Sequence, residues 1–133
     1  PILGPDDTLM VRQYRYALAR ETLEFPAGKL DPGEDPIAAA HRELAEETGY
    51  KAGRLDLLLS FAPAVGYSTE IIHVFMARDL EVVKTVQDFD EIERVERRQL
   101  SQLRELVRNG EIVDGTTMVA LAAYEWLGTE LVS

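Results

Sequence analysis

The feature that most constrains this chain is a group of three glutamates inside residues 28–50, a segment with clear helix signals. Glu43, Glu46 and Glu47 stand at i, i+3 and i+4, so a helix places all three carboxylates on one face. Like charges at this spacing cost a bare helix roughly 0.2–0.5 kcal/mol per pair. The cluster therefore predicts a nearby counter-charge, and its hard oxygen ligands suit Mg²⁺ or Mn²⁺.

The residues at both ends of this segment predict where the helix begins and ends. Asp35 followed by Pro36 is typical of a helix start, with Asp at the N-cap and Pro at the first helical position. Gly49 predicts the C-terminal stop. The turn-rich loop ahead of the helix, residues 25–33, lets backbone carbonyls approach whatever the glutamates bind. The apolar face expected of the helix is narrow and consists of Ile37, Ala40, Leu44 and Ala45.

The same segment resembles the Nudix box, a family signature with the pattern G-x5-E-x7-R-E-U-x-E-E-x-G-U, where U is bulky and apolar. A solvated acidic helix face is the simpler alternative, but a match in full register over so long a pattern argues against it. The resemblance implies a hydrolase that acts with divalent cations on a nucleoside diphosphate linked to another group. The matching residues are Gly28, Glu34, Arg42, Glu43, Leu44, Glu46, Glu47, Gly49 and Tyr50.

The resemblance also implies a role for each charged residue of the box. Glu43 and Glu47 would be direct metal ligands, and Glu46 would be either a ligand or the residue that orients the attacking water. Glu46 and Glu47 are therefore candidate catalytic residues as well, and the carbonyl of Ala27 would add an oxygen ligand. The expected cofactor is Mg²⁺, with Mn²⁺ as an alternative and two or more ions bound. The residues that would brace the loop and the helix are Gly28, Glu34, Arg42 and Gly49.

Three segments outside the box are similar to the ADP-ribose pyrophosphatase branch of the family. In the first, the strand residue Arg15 and the carboxylate of Glu24, which precedes Pro-Ala-Gly, would lie near the substrate. The forked donors of arginine suit a diphosphate. Each residue has a plainer alternative, because Arg15 can be a surface arginine paired with a neighbour and Glu24 its structural partner.

The second segment is the loop of residues 62–70, in which a proline matches a proline of that branch. Two extra residues separate this Pro63 from the glycine, so the path of the loop departs from the pattern of the branch. Gly66, Ser68 and Glu70 are the candidate substrate-binding residues of this loop. An ordinary connection between two strands is the alternative.

The third segment is the acidic stretch of residues 87–93. Hydrolysis requires a group that takes a proton from the attacking water. The resemblance implies that a glutamate just before the late strand is this base. Glu91 fits that position best by register, and Glu93 and Asp90 are the next choices. A charged loop without a catalytic role is the alternative.

Composition narrows the class of protein further. A chain of 133 residues with 46% hydrophobic content is long enough for one domain. The resemblance implies that residues 1–133 form a single Nudix domain whose N-terminal strands are short or missing. The net charge of −10 argues against a broad nucleic-acid-binding surface. No apolar run approaches the roughly 20 residues of a membrane span, and the absence of cysteine excludes thiolate metal sites. We therefore expect a cytoplasmic protein. The resemblance implies a small-molecule nucleoside diphosphate as its partner and a homodimer.

Hydrophobic periodicity predicts a mixture of strands and helices along the chain. The last expected helix carries four residues at helical spacing, Met118, Leu121, Ala122 and Trp126. This order favours an α+β fold, and the resemblance implies a Nudix-like α/β/α sandwich with a mixed β-sheet. The predicted strands are residues 9–18, 22–25, 55–61, 71–77 and 92–97, and the predicted helices besides the box helix are residues 100–108 and 116–127.

The resemblance as a whole implies hydrolysis of ADP-ribose to AMP and ribose 5-phosphate. Another nucleoside diphosphate sugar, NADH or a dinucleoside polyphosphate is an alternative substrate for a Nudix pyrophosphatase. A second alternative is a non-catalytic domain that senses ADP-ribose or a related nucleotide. Because such a domain is free to lose box glutamates and this chain keeps all of them, the enzyme is the favoured hypothesis.

Overall fold

The computed structural model describes residues 1–83 and 94–132, and its elements confirm the predicted α+β class. Within these residues no helix combines the length and the apolarity needed to cross a membrane. A 3₁₀ turn at Leu100–Gln102 precedes the second helix, and a π-helical turn at Tyr124–Gly128 follows the third. The strands are β1 (Asp7–Arg15), β2 (Arg20–Glu24), β3 (Tyr50–Phe61), β4 (Ile72–Val82) and β5 (Arg94–Gln99). The helices are α1 (Pro36–Thr48), α2 (Leu103–Arg108), α3 (Gly115–Ala123) and α4 (Thr129–Val132).

Two sheets form the framework of the fold. In the first, β1 lies between β2 and β5, and in the second β3 pairs with β4. Every ladder between the described strands is antiparallel, so the parallel pairing expected of a mixed sheet is not found in this part of the chain. Ile2 links the two sheets, because it forms a bridge with Thr8 of β1 and its amide donates to the carbonyl of Ala77 in β4 over 2.8 Å.

A separate apolar cluster holds each sheet against its helices. The second sheet packs against α1 through Leu44, Ala52 and Ala77. Burial of a side chain of leucine size contributes about 1.5–3 kcal/mol, so both clusters stabilise the packing of the helices on the sheets. The cluster of the first sheet with the C-terminal helices consists of Met10, Leu23, Leu100, Leu103, Ile112 and Leu121.

The predicted ends of the box helix are confirmed. Asp35 is the N-cap residue and Pro36 opens α1, although the Asp35 side chain makes no capping hydrogen bond. Gly49 adopts a left-handed conformation with φ of 77°, and its amide donates to the carbonyl of Ala45 over 3.0 Å. A residue with a Cβ atom is strained in this conformation, which explains the glycine.

The apolar face predicted for this helix is partly wrong. Leu44 is buried as expected, but Ile37 is 47% exposed. The helix packs instead through Ala39, Leu44 and Thr48. Because Ala39 is two residues from Ile37, about 200° around the helix, packing on Ala39 turns Ile37 towards solvent.

Two other predicted elements end early. The strand predicted over residues 9–18 stops at Arg15, which pairs with Arg20 across a turn in which Ala19 has a φ of 53°. The turn reads Tyr-Ala-Leu-Ala and contains none of the residues that usually announce a turn. The helix predicted over residues 116–127 is α-helical to Ala123 and then widens into the π-helical turn. The wider turn changes the helical spacing and leaves Trp126 69% exposed.

A cluster of ion pairs joins β1 to β5 and to the segment before α3. Arg12, which is 9% exposed, donates to Glu96 and over 2.8 Å to Glu111. Glu96 also accepts hydrogen bonds from Arg94 over 2.9 Å and from Arg98. The hydrogen bond from Arg12 is the largest cause that lowers the pKa of Glu96 to about 2, against the opposing effect of burial. The ionised carboxylate therefore stabilises this side of the first sheet.

We predict that Glu96→Gln lowers the free energy of unfolding at pH 6 by about 1.5–3 kcal/mol, the range for hydrogen bonds to charged groups. The pKa of Glu96 is lower in the folded state, so its contribution is present above pH 4.5 and is lost as the pH falls towards 2. The difference between variant and wild type should therefore shrink at pH 3, as measured by urea unfolding. The control Glu105→Gln removes a surface pair with Arg108 and should show little difference at either pH. An equal gap for Glu96→Gln at both values would contradict the prediction.

Candidate functional site

The loop after β2 passes so close to the Glu43 side chain of α1 that only a glycine fits at position 28 while Glu43 keeps its present position. A Cβ atom added to Gly28 would lie 1.9 Å from Cδ of Glu43 and 2.3 Å from its Oε2. These distances are far below any van der Waals contact, so any other side chain at position 28 would displace the Glu43 side chain from its present position. Gly28 therefore places the backbone of this loop directly against one of the three acidic side chains.

Arg42 joins the loop to the acidic face of α1. Its Nε and Nη2 donate to the carboxylate of Glu34 over 3.0 and 2.9 Å, and Nη2 also donates to the carbonyl of Lys29 over 3.2 Å. Its Nη1 donates to Glu43 over 2.7 Å and to Glu46 over 3.3 Å. One guanidinium thus pairs with the loop on one side and with two box glutamates on the other. Part of the counter-charge predicted for the acidic face comes from the protein itself.

Glu34 is held in its ionised form by these contacts. The hydrogen bond from Arg42, followed by a backbone hydrogen bond from Asp31, lowers the pKa of Glu34 to about 2. The amide of Asp31 donates to Glu34 over 3.0 Å, and the Glu34 amide donates to the Asp31 carbonyl over 3.0 Å. These two hydrogen bonds between Asp31 and Glu34 fix the conformation of the loop just before α1 begins.

Glu47 lies in a different environment from the other two glutamates. Its Oε2 is buried and has no hydrogen-bond partner in the structure. Burial, followed by the neighbouring charge of Glu43, raises the pKa of Glu47 to about 8, and a hydrogen bond with the backbone of Ala27 opposes the shift. A buried carboxylate oxygen without a partner is energetically costly. Because the carboxylate of Glu43 is close enough to raise the pKa of Glu47, the two side chains together are suited to bind a cation.

The donor set suits a divalent cation but is not assembled as a closed ligand shell. In residues 1–83 and 94–132, no three His, Cys, Asp or Glu side chains are grouped as a ready-made metal site. The three glutamates of α1 do not form such a group because they have different contacts. Arg42 binds Glu43 and Glu46, while the Glu47 side chain is turned into the protein. A cation bound to Glu43 and Glu47 would compete with Arg42 for Glu43.

A cavity of about 470 Å³ opens beside this junction. Its lining includes Ala27 and Gly28 from the loop, Glu43 from α1 and Glu70 from the β3–β4 connection. Most of the other lining residues are apolar, and the volume lies within the usual range of small-molecule sites, about 300–1,000 Å³. The arrangement can hold an organic ligand with its charged part next to the acidic face.

Arg15 and Glu24 pair with each other. Nε and Nη2 of Arg15 donate to the two carboxylate oxygens of Glu24 over 2.9 and 2.7 Å, and the buried Glu24 also accepts from Thr22. Burial acts to raise the pKa of Glu24, but the hydrogen bonds from Arg15 and Thr22 outweigh it and the pKa is lowered. The structure therefore shows the pairing that the plainer alternative expects, and a contact of either residue with a substrate stays a prediction. Neither residue lines the cavity, although the charge of Arg15 influences the pKa of Glu47.

The β3–β4 connection brings one of its three predicted residues to the cavity. Glu70 lines it, and the amide of Glu70 donates to Oγ of Ser68 over 3.1 Å. Gly66 and Ser68 are exposed and do not line it, since they belong to a turn closed by a hydrogen bond from the Ser68 amide to the Ala64 carbonyl. The predicted base Glu91 lies outside the described residues.

Sequence reasoning missed one contact that reaches the loop from the C-terminal part of the chain. The amide of Phe25 donates to Oγ1 of Thr117 over 3.2 Å. Asp114 caps α3 and accepts from both the amide and the hydroxyl of Thr117, over 2.9 and 2.6 Å. Asp three residues before Thr is a recognisable helix start. Nothing in the local sequence connects this helix start to a loop 92 residues away.

This chain is similar to known proteins in both sequence and structure. A NUDIX domain profile matches residues 1–117. The chain is 42% identical over 115 residues, 85% of its length, to the ADP-ribose pyrophosphatase of Bacillus subtilis (strain 168) and spans 62% of that protein. It is 38% identical over 122 residues, 90% of its length, to the methanol dehydrogenase activator of Bacillus methanolicus and spans 66% of that protein. A crystal structure of an ADP compounds hydrolase matches with a TM-score of 0.84 at 28% identity, over 96% of this chain and 70% of that chain.

The pKa of Glu47 leads to a prediction for the metal-free protein. The pKa of Glu47 is 4.5 in the unfolded chain and about 8 in the folded protein. Between pH 4.5 and pH 8 the carboxyl group is therefore protonated in the folded state and ionised in the unfolded state. The contribution of Glu47 to the free energy of unfolding therefore decreases as the pH rises from 4.5 to 8. We predict that Glu47→Gln, measured by calorimetry in a chelator, is more stable than wild type at pH 8 by on the order of 1–3 kcal/mol, and that the gain disappears near pH 4.5.

The matched control is Glu46→Gln, which removes a carboxylate from the same helix face but from an exposed position bonded to Arg42. It should show no gain in stability at pH 8. A Glu47→Gln protein that is less stable than wild type at pH 8 would show that the buried carboxylate is not a strained group.

Proposed function

This chain belongs to the NUDIX domain family, and we propose that it is a metal-dependent pyrophosphohydrolase that cleaves the diphosphate of ADP-ribose. One water molecule would be consumed, one bond from phosphorus to the bridging oxygen would break, and AMP and ribose 5-phosphate would be released. The buried, unpartnered carboxylate of Glu47 beside Glu43 carries the hydrolase proposal. The 42% identity to a protein named ADP-ribose pyrophosphatase supports the choice of substrate.

Nudix hydrolases generally use divalent metal ions, and the proposed ions here are Mg²⁺, or alternatively Mn²⁺, with two or more bound. Glu43 and Glu47 are the proposed ligands, with Glu46 and the carbonyl of Ala27 as further oxygen donors. When bound, such cations neutralise phosphate charge and lower the pKa of water. The orphaned oxygen of Glu47 and the close approach of the loop to Glu43 support this assignment.

The chain's own side chains would position the substrate and move the proton. Arg42 keeps the loop and Glu43 together through the contacts described above. Glu24 engages Nε and Nη2 of Arg15, so Nη1 is the donor proposed for a phosphate oxygen. Glu70 is proposed to contact the substrate from the cavity lining, and Glu91 is proposed to accept the proton of the attacking water.

Two other expectations stay predictions. The resemblance implies a homodimer, and composition favours a cytoplasmic location. Gly66 and Ser68 also stay proposed substrate contacts, although the structure leaves both outside the cavity lining.

The substrate proposal predicts a clear ranking in a hydrolysis assay. Purified protein with Mg²⁺ should convert ADP-ribose to AMP and ribose 5-phosphate faster than other nucleoside diphosphate sugars, NADH or dinucleoside polyphosphates. Chromatography of the products measures both the rate and the bond that breaks, and a chelator should abolish turnover. A faster rate on another sugar nucleotide would replace the substrate but keep the reaction class. If none of these compounds is hydrolysed, the enzyme proposal is wrong and the nucleotide-sensing alternative is favoured.

The ligand proposal predicts that Glu47→Gln lowers kcat by at least about 100-fold, because a ligand of the proposed cation is lost. The control is Glu105→Gln on α2, an exposed glutamate that pairs with Arg108 over 3.5 Å and should keep the wild-type rate. Circular dichroism checks that both variants fold. A loss of only a few-fold in Glu47→Gln would contradict its role as a ligand.

A further inference from the structure

We propose that Thr117 and Asp114, at the start of α3, are positioning residues for the candidate metal centre. They would act by fixing the backbone of the loop of residues 24–28, which we call the anchored loop. The inference rests on the proposed function, because it concerns the same site. Both residues lie far from the box in sequence and are not among the residues that the sequence motif contains.

The hydroxyl of Thr117 has a defined direction. It donates to Oδ2 of Asp114 over 2.6 Å, and the amide of Thr117 donates to the same oxygen over 2.9 Å. The hydroxyl hydrogen is therefore already used, and its oxygen accepts the amide of Phe25 over 3.2 Å. Thr117 is 2% exposed, so water does not compete for these bonds. Asp114 orients the hydroxyl, and the hydroxyl holds the loop.

The position of Phe25 in the anchored loop makes this hydrogen bond important. The next residue, Pro26, has no backbone N–H, and it restricts Phe25 to extended conformations. Ala27 then hydrogen-bonds through its backbone to Glu47, and Gly28 lies against Glu43. A shift of the Phe25 backbone would therefore be passed to both proposed ligands within three residues.

Contacts from different parts of the fold converge on the anchored loop. Arg15 of β1 and Thr22 of β2 hold the side chain of Glu24 at its start. Residues of α1 hold its end, at Ala27 and Gly28. The contact from Thr117 adds a third support from the C-terminal helices. Loss of the Thr117 hydroxyl leaves the other two supports in place. We therefore expect the backbone at Phe25 to become more mobile while the rest of the fold is retained.

Thr117→Val tests this proposal because it keeps the shape of the side chain and removes the hydroxyl. We expect the Phe25 amide hydrogen, followed by NMR, to exchange about 10-fold faster than in wild type after correction for any loss of global stability. Mg²⁺ binding, measured by calorimetry, should weaken by about 10-fold, as is typical when a group that orients a ligand is removed. Thr117→Ser retains the hydroxyl and should restore both values to within about twofold of wild type.

The matched control is Thr8→Val, a second fully buried threonine, whose hydroxyl donates to the carbonyl of Pro1. It should lower stability while Mg²⁺ affinity stays within about twofold of wild type, since this hydroxyl makes no contact with the anchored loop. Unchanged Mg²⁺ affinity in Thr117→Val would overturn the positioning role and reduce Thr117 to a structural residue. Equal weakening in Thr8→Val would overturn it as well.

The wild-type protein provides a second test if Thr117→Val does not fold. Coupling between two sites is reciprocal, so saturating Mg²⁺ should slow the exchange of the Phe25 amide. No change in that exchange rate would overturn the proposal. These measurements do not use turnover. A wild type that shows the coupling but hydrolyses nothing would support the positioning role and contradict the proposed hydrolase activity.

Discussion

The site depends above all on the guanidinium of Arg42. It lies on α1, yet it pairs with Glu34 and the Lys29 carbonyl in the preceding loop as well as with Glu43 and Glu46 on its own helix. A lysine cannot make these contacts together, because they need a planar group with donors on several edges. The side chain is 30% exposed, so the network is partly shielded from water and salt. Arg42 thereby joins the loop to two of the three glutamates of the acidic face.

This network gives three identical side chains three different environments. Glu43 is largely enclosed between Arg42 and Gly28, Glu46 is mostly exposed, and Glu47 is turned inward with an unpartnered oxygen and a raised pKa. Arg42 relieves the repulsion that the sequence predicts for Glu43 and Glu46, and the remaining strain is concentrated at Glu47. Separation of carboxylate environments in this way is common where chemically equal groups perform different tasks. The anchored loop contacts Glu47 through a hydrogen bond from the backbone of Ala27.

Local signals were reliable where a residue acts through its own backbone. Pro36 and Gly49 bound α1 as predicted, because one restricts φ and the other tolerates a left-handed conformation. Prediction failed where neighbours decide. Ile37 is exposed because the sheet packs against another face of the helix. The turn at residues 16–19 contains none of the residues that usually predict a turn. The sequence did not settle whether Arg15 and Glu24 pair with each other, and the structure shows that they form a bidentate pair across adjacent strands. A contact of either residue with a substrate stays a prediction.

The sequence by itself determined the family, the α+β class and the presence of an acidic helix next to a glycine turn. The helix follows from residue types at short, regular spacings, which local backbone geometry converts directly into shape. The family follows from the resemblance of residues 28–50 to the Nudix box, and the match of the family profile confirms it. Only the tertiary structure decided which glutamate is buried and which is paired with Arg42. The same holds for the link from Thr117 to Phe25, which spans 92 residues. Burial and long-range hydrogen bonds depend on how distant segments pack, and no local pattern encodes that packing.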